Sequence, residues 1–174
     1  MCPSLAVLRG SVLVLVTVLP TIAQNPAKDA PVPDQILTSK KVFISNAGAD
    51  ADVIAVFKRM GQSQLPYDRF YAEMKSWGRY ELVSSPADAD LVFAIRFSAP
   101  ISDCGNKLTQ YTPQYGLSII DAKTHFTLWS LSARVQGAFR KSTFEKNLTE
   151  GMATLMADLK QLSTGASSSA MAAK

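Results

Sequence analysis

The sequence predicts a single α+β domain: a five-stranded mixed sheet in the order β-α-β-β-β-β-α, with helices packed mainly on one face. Three observations carry that expectation. Short β-branched and aromatic runs at 41–45, 80–83, 91–98, 115–120 and 126–135 read as strands. Apolar residues recur at helical spacing over 50–60, 66–77 and 143–162. At 174 residues, the chain is long enough for one core and too short for two. A helical stretch between the first two strands makes them parallel neighbours through a crossover, while the later strands are joined as antiparallel neighbours.

Residues 1–23 read as a leader. Arg9 is their one charge, an apolar run extends from Val12 to Leu19, and Pro20 precedes Thr21-Ile22-Ala23. That is the pattern of a secretory signal peptide cleaved after Ala23. A membrane anchor is the rival reading, but the apolar run is about half of the roughly 20 residues that a spanning helix needs. No transmembrane segment is therefore expected after cleavage. Cys2 follows Met1 directly and lacks the apolar stretch that precedes a lipidated cysteine. The expected location is periplasmic or secreted. Residues 24–39, with Pro26, Pro31 and Pro33, read as an extended linker; 40–162 as the domain; and the Ser/Ala/Gly-rich 163–174 as a disordered tail.

Composition excludes several classes. The chain has 18 basic and 14 acidic side chains with the signs mixed along it, and nucleic-acid binding asks for a basic stripe with stacking aromatics. Loss of Cys2 with the leader leaves Cys104 unable to form an intramolecular disulfide. One Cys and one His do not make a four-ligand zinc site, so no metal and no cofactor is expected. Cys104 sits in the polar loop Ser102-Asp103-Cys104-Gly105-Asn106. It is either a tolerated thiol or, on the sharper readings, a reactive thiol or an intermolecular disulfide partner.

Taken in order, Lys41 to Ser45 is a strand that stops at the turn-prone Asn46-Ala47-Gly48. Asp50 or Asp52 caps a helix carrying Val53, Val56, Phe57 and Met60, with Gly61 past its end. The next helix places Tyr67, Phe70, Tyr71, Met74 and Trp77 on one stripe, with Pro66 in its first turn and Gly78 as a left-handed exit. That aromatic stripe reads as core in preference to a ligand box. Tyr80 to Val83 and Leu91 to Ser98 are strands about a turn at 84–90, and the second presents Leu91, Phe93, Ile95 and Phe97 to one side. Residues 99–114 form a long loop. In the last helix, Thr143 to Leu162, Ser142 and Glu145 make a capping box, and Phe144, Leu148, Met152, Leu155, Leu159 and Leu162 form the buried face. The glycosylation sequon Asn147-Leu148-Thr149 falls inside that helix.

The stretch "SIIDAKTHFTLWS", 118–130, holds the chain's one histidine, His125. Strand, four residues, strand is a hairpin built around a type I turn whose last loop residue is left-handed. Asp121 accepts from the loop amides, and His is among the residues enriched at positive φ. On this register Leu117, Ile119, Phe126 and Leu128 share one face; Ile120, Trp129, Leu131 and Ala133 share the other.

"WGRYELVSSPADADLVFAIRF" followed by "LSIIDAKTHFTLWS" resembles small envelope-exported bacterial domains, typified by the TolB amino-terminal domain and by related domains of unknown function. The matching positions are Gly78 to Val83, Ala89-Asp90 and Asp121 to Trp129, within 41–162. Those relatives usually carry glycine where this chain has His125, and the propeller that follows in TolB is absent here. The resemblance implies a non-enzymatic binding or assembly module.

Topology sets the Cys104 loop and the His125 turn at opposite ends of the sheet, about 20 Å apart along six strand residues. A Cys-His dyad needs about 3 Å. The leading reading is thus a non-enzymatic periplasmic or secreted binding or assembly module of uncharacterised specificity, acting on a protein partner or by self-association and not on nucleic acid. The competing class is a small secreted hydrolase-like enzyme using His125 or Cys104; a Ser-His-Asp triad through Asp121 lacks a nucleophile elbow. The partner-binding face is expected to be the one opposite Phe93, Ile95, Ile119 and Leu128, carrying Val92, Arg96, Ile120, Trp129 and Leu131 beside Val83 and Ala94. Either a partner covers it, or the helix at 51–60 or the Pro-rich linker does.

Overall fold

A computed structural model of the chain describes residues 31–50, 65–103, 109–138 and 140–165. Its elements are α1 (Asp34–Thr38), β1 (Lys41–Ala49), α2 (Leu65–Trp77), β2 (Glu81–Val83), a 3-10 turn (Pro86–Asp88), β3 (Leu91–Ser98), β4 (Ile101–Asp103), β5 (Thr109–Tyr111), β6 (Gln114–Asp121), β7 (Thr127–Arg134) and α3 (Lys141–Ser163). The signal peptide expected at 1–23, the helix expected at 51–60, Cys104 and the end of the expected tail lie outside the described residues.

The sheet is the mixed five-stranded one that the sequence predicts, in the spatial order β2-β1-β3-β6-β7. β1 runs parallel to both β2 and β3, β6 is antiparallel to β3, and β7 is antiparallel to β6. Strict alternation fills the core: Leu91, Phe93, Ile95 and Phe97 of β3 and Tyr115, Leu117 and Ile119 of β6 are all buried. Phe70 and Met74 of α2 and Leu148, Met152, Leu155 and Leu159 of α3 close over them. Trp77 meets Tyr80 at 5.5 Å and Tyr80 meets Phe93 at 5.6 Å, both edge to face. The α2 stripe is therefore core at its centre, while Tyr71 at its margin is exposed. Gly78, at φ 66, makes the left-handed exit.

Tyr115 packs edge to face on Phe97 at 4.9 Å. Its hydroxyl is buried with no hydrogen-bond partner among the described residues. Burial pushes its pKa up to about 12, so the ring stays neutral far above physiological pH.

Four expectations are corrected. The strands at 80–83 and 91–98 are not antiparallel neighbours: β1 lies between β2 and β3 and runs parallel to both. Residues 34–38 are not extended linker but helix α1, and Ile36 is wholly buried. The helix is held from a distance: Tyr80 Oη donates to the Ile36 carbonyl at 3.4 Å and Arg79 Nη2 to the Leu37 carbonyl at 3.0 Å. Residues 99–114 are not plain loop, since they contain β4 and β5, paired antiparallel as a separate ribbon and closed by Thr112 N donating to the Pro100 carbonyl at 3.0 Å. Three-residue strands are too short to show a period. Finally, Ser142 and Glu145 form no capping box. α3 starts earlier, with Arg140 as its N-cap and no side chain capping it; Glu145 instead lies 3.9 Å from Lys141 on the helix surface.

Candidate interaction face

Directly paired residues on neighbouring strands point to the same side of a sheet. The observed pairs Phe43↔Val83, Phe43↔Val92 and Val92↔Ile120 thus set Val83, Phe43, Val92 and Ile120 in one row across four strands. All four are half-buried. Beside this row runs Ser45, Ala94 and Ser118, and beyond that Arg96 and Gly116. The described helices pack on the opposite side of the sheet, where the core lies. The face is therefore apolar at one end, small and polar in the middle, and charged at the other.

At the charged end Arg96 Nη2 donates to Asp50 Oδ1 at 2.6 Å, and Ala99 N donates to Asp50 Oδ2 at 3.0 Å. The Arg96 hydrogen bond, then the Ala99 amide, holds the Asp50 carboxyl below its usual range. Arg96 is therefore engaged within the chain.

Of the five residues expected to share this face, Val92, Arg96 and Ile120 lie on it, and Trp129 and Leu131 do not. Trp129 pairs with Ile119 and Leu131 with Leu117, both core residues. Ala133, opposite the buried Tyr115, is on the core side too. The cause is a bulge: pairing steps from Ile120↔Thr127 to Ile119↔Trp129, which leaves Leu128 as an extra residue in β7. One extra residue exchanges the two faces of everything beyond it. Phe126, expected on the core face, is 74% exposed at the turn. Phe43 is the residue that the sequence reading missed, although the Val42, Phe43, Ile44 alternation in β1 contained the signal.

A cleft of about 440 Å³ lies where α2 meets β1 and β2, lined by Tyr67 and Tyr71 of the helix, the core-side Ile44 and Leu82, and Phe43 and Val83. A second, polar cleft of about 200 Å³ lies between α1 and the hairpin turn, where Asp90, Asp121 and Lys123 meet. Asp90 there accepts from Lys41 N at 2.9 Å and Lys40 N at 3.0 Å. These amides, the Lys41 one foremost, lower its pKa. The Ala89-Asp90 motif thus ties the start of β1 to β3.

His125 has φ 61, the left-handed conformation that the turn requires. Its amide donates to the Asp121 carbonyl at 2.9 Å. Asp121 Oδ1 accepts from Lys123 N at 2.7 Å and Thr124 N at 3.2 Å, and these bonds lower its pKa. The Asp121 carboxylate serves the turn, and no hydrogen bond joins it to the His125 ring among those the structure shows. Replacing His125 with Gly removes a left-handed strain of about 1–2 kcal/mol. Thermal or urea unfolding of the variant should show equal or higher stability; a clear loss would contradict the turn assignment. Cys104 lies outside the described residues. Among those residues no group of three His, Cys, Asp or Glu side chains could hold a metal ion. No described helix is long and apolar enough to cross a membrane.

An open mixed sheet with its described helices on one side and an apolar row on the other defines a small α+β domain. No protein-family model matches the chain, and no curated protein matches it in sequence. Solved structures that are similar include a Xanthomonas campestris protein of the DUF330 family, 13% identical, covering 78% of this chain and 91% of its own at a TM-score of 0.48. The PelC dodecamer from Paraburkholderia phytofirmans is 12% identical, covering 69% and 86% at a TM-score of 0.44. A minor lipoprotein from Acinetobacter baumannii is 12% identical, covering 72% and 93% at a TM-score of 0.35. The resemblance to the TolB amino-terminal domain is not among the likenesses shown.

Proposed function

We propose that the chain is a non-enzymatic binding or assembly module, exported after loss of residues 1–23, and that a protein partner docks on the row formed by Val83, Phe43, Val92 and Ile120. One observation carries the reading: four apolar side chains stand in register on a sheet face over which no described helix packs. Contiguous apolar surface of this kind marks interaction sites. Arg96 and Asp50, already paired, form a polar margin to it.

The test is crosslinking and capture with exported protein, comparing the natural chain with the double variant V92K/I120K. The variant should lose the partner that the natural chain captures while keeping its circular dichroism spectrum. Equal capture of the same partner by both proteins would sink the reading. A hydrolytic activity abolished by H125G would replace it with the enzyme class.

A further inference from the structure

Among the described residues β7 ends the sheet and pairs only with β6. Val135 N donates to the Pro113 carbonyl at 2.7 Å, continuing the β6–β7 register by one pair. In an antiparallel ladder, hydrogen-bonded and non-bonded pairs alternate. Counting back from Val135, the backbone groups of Ala133, Leu131 and Trp129 turn toward β6, and those of Ser130 and Ser132 turn outward. Both serines are exposed.

Sheet edges are normally guarded by Lys, Pro or strongly twisted strand. β7 has neither Lys nor Pro; its one charge is Arg134 at the far end, and its bulge sits at the other end, before Ser130. On the core side, Trp129 and Leu131 are only partly buried, although Ile119 and Leu117 opposite them are wholly so. Both stand on the strand at which the described sheet ends.

We propose that two copies of this chain join through β7, antiparallel across a twofold axis, into one continuous sheet. The occupant follows from self-complementarity. A register that sets Ser130 opposite Ser130 of the second copy places Trp129 against Leu131 of that copy, and the reverse, covering both. The same register brings Arg134 of one copy to the Phe126 end of the other, near the most exposed large apolar side chain among the described residues. It keeps the two Arg134 charges at opposite ends of the joint. Small serines on the outer side let the two backbones approach. The joint runs along the β7 edge and uses none of Val83, Phe43, Val92 and Ile120, so it stands apart from the docking row above.

Light scattering or sedimentation of the exported protein over a concentration series tests it, with S130K and S130E. The natural chain should pass from monomer to dimer as concentration rises. Each variant opposes like charges on the axis and should associate roughly tenfold or more weakly, with an unchanged unfolding curve at concentrations where the natural chain is monomeric. An equimolar mixture of the two should recover the dimer, because lysine then faces glutamate. A natural chain that stays monomeric throughout, an S130K variant that dimerises as well as the natural chain, or a mixture that remains monomeric would each overturn the proposal. V92K/I120K should still dimerise, which separates failure of the edge from failure of the face.

Discussion

Replacing Ile36 with Ala should destabilise the domain by about 2–5 kcal/mol, the range for truncating a wholly buried aliphatic side chain. Urea titration of the purified variant reads it directly, as a lowered midpoint with little change in slope. Ile36 lies in a stretch whose prolines predict a tether, and a tether residue would shift stability by about 0.5 kcal/mol or less. In the structure it is 0% exposed, and its carbonyl accepts from the Tyr80 hydroxyl. Truncation leaves a cavity that the side chains around it fill only in part. A change no larger than that of a surface substitution would show that α1 is not part of the core.

Gly151→Val should cost about 1–3 kcal/mol through overpacking, against a gain of only about a few tenths of a kcal/mol in helix propensity when valine replaces glycine. Glycine is required here by close approach and not by backbone conformation. A Cβ at position 151 would stand 2.7 Å from Val135 Cγ2 and 3.3 Å from the Arg134 carbonyl oxygen. The first atom belongs to a stiff β-branched side chain and the second to backbone, so neither gives way cheaply. Trimming Val135 to Ala should cost less in the Gly151→Val background than in the natural chain, a coupling that a double-mutant cycle measures by unfolding. Additive effects, or a stabilised Gly151→Val, would show that α3 and β7 are not in contact at this point.

Features decided by neighbours in the chain were legible in the sequence. The β3 strand matches its alternation over 91–98, α2 runs with its stripe of Phe70 and Met74, and Gly78 makes the exit expected of it. His125 at positive φ follows from hairpin chemistry, because Asp121 binds the loop amides whatever lies beyond the turn. Part of the outer face was legible as well: Val92 and Ile120 fall where strand alternation puts them.

Other features depend on contacts between distant residues. Ile36 is a single apolar residue among prolines and polar side chains, with no period to announce it; its burial exists because Tyr80 and Arg79 meet α1 after more than forty intervening residues. The bulge at Leu128 has no glycine or other local mark, yet one inserted residue moves Trp129, Leu131 and Ala133 to the core side. Side-chain alternation in the sequence determined that β7 has two unlike faces. Which of them meets the core was decided only when β7 paired with β6, because a face is chosen by the free energy of burying it and not by the strand alone.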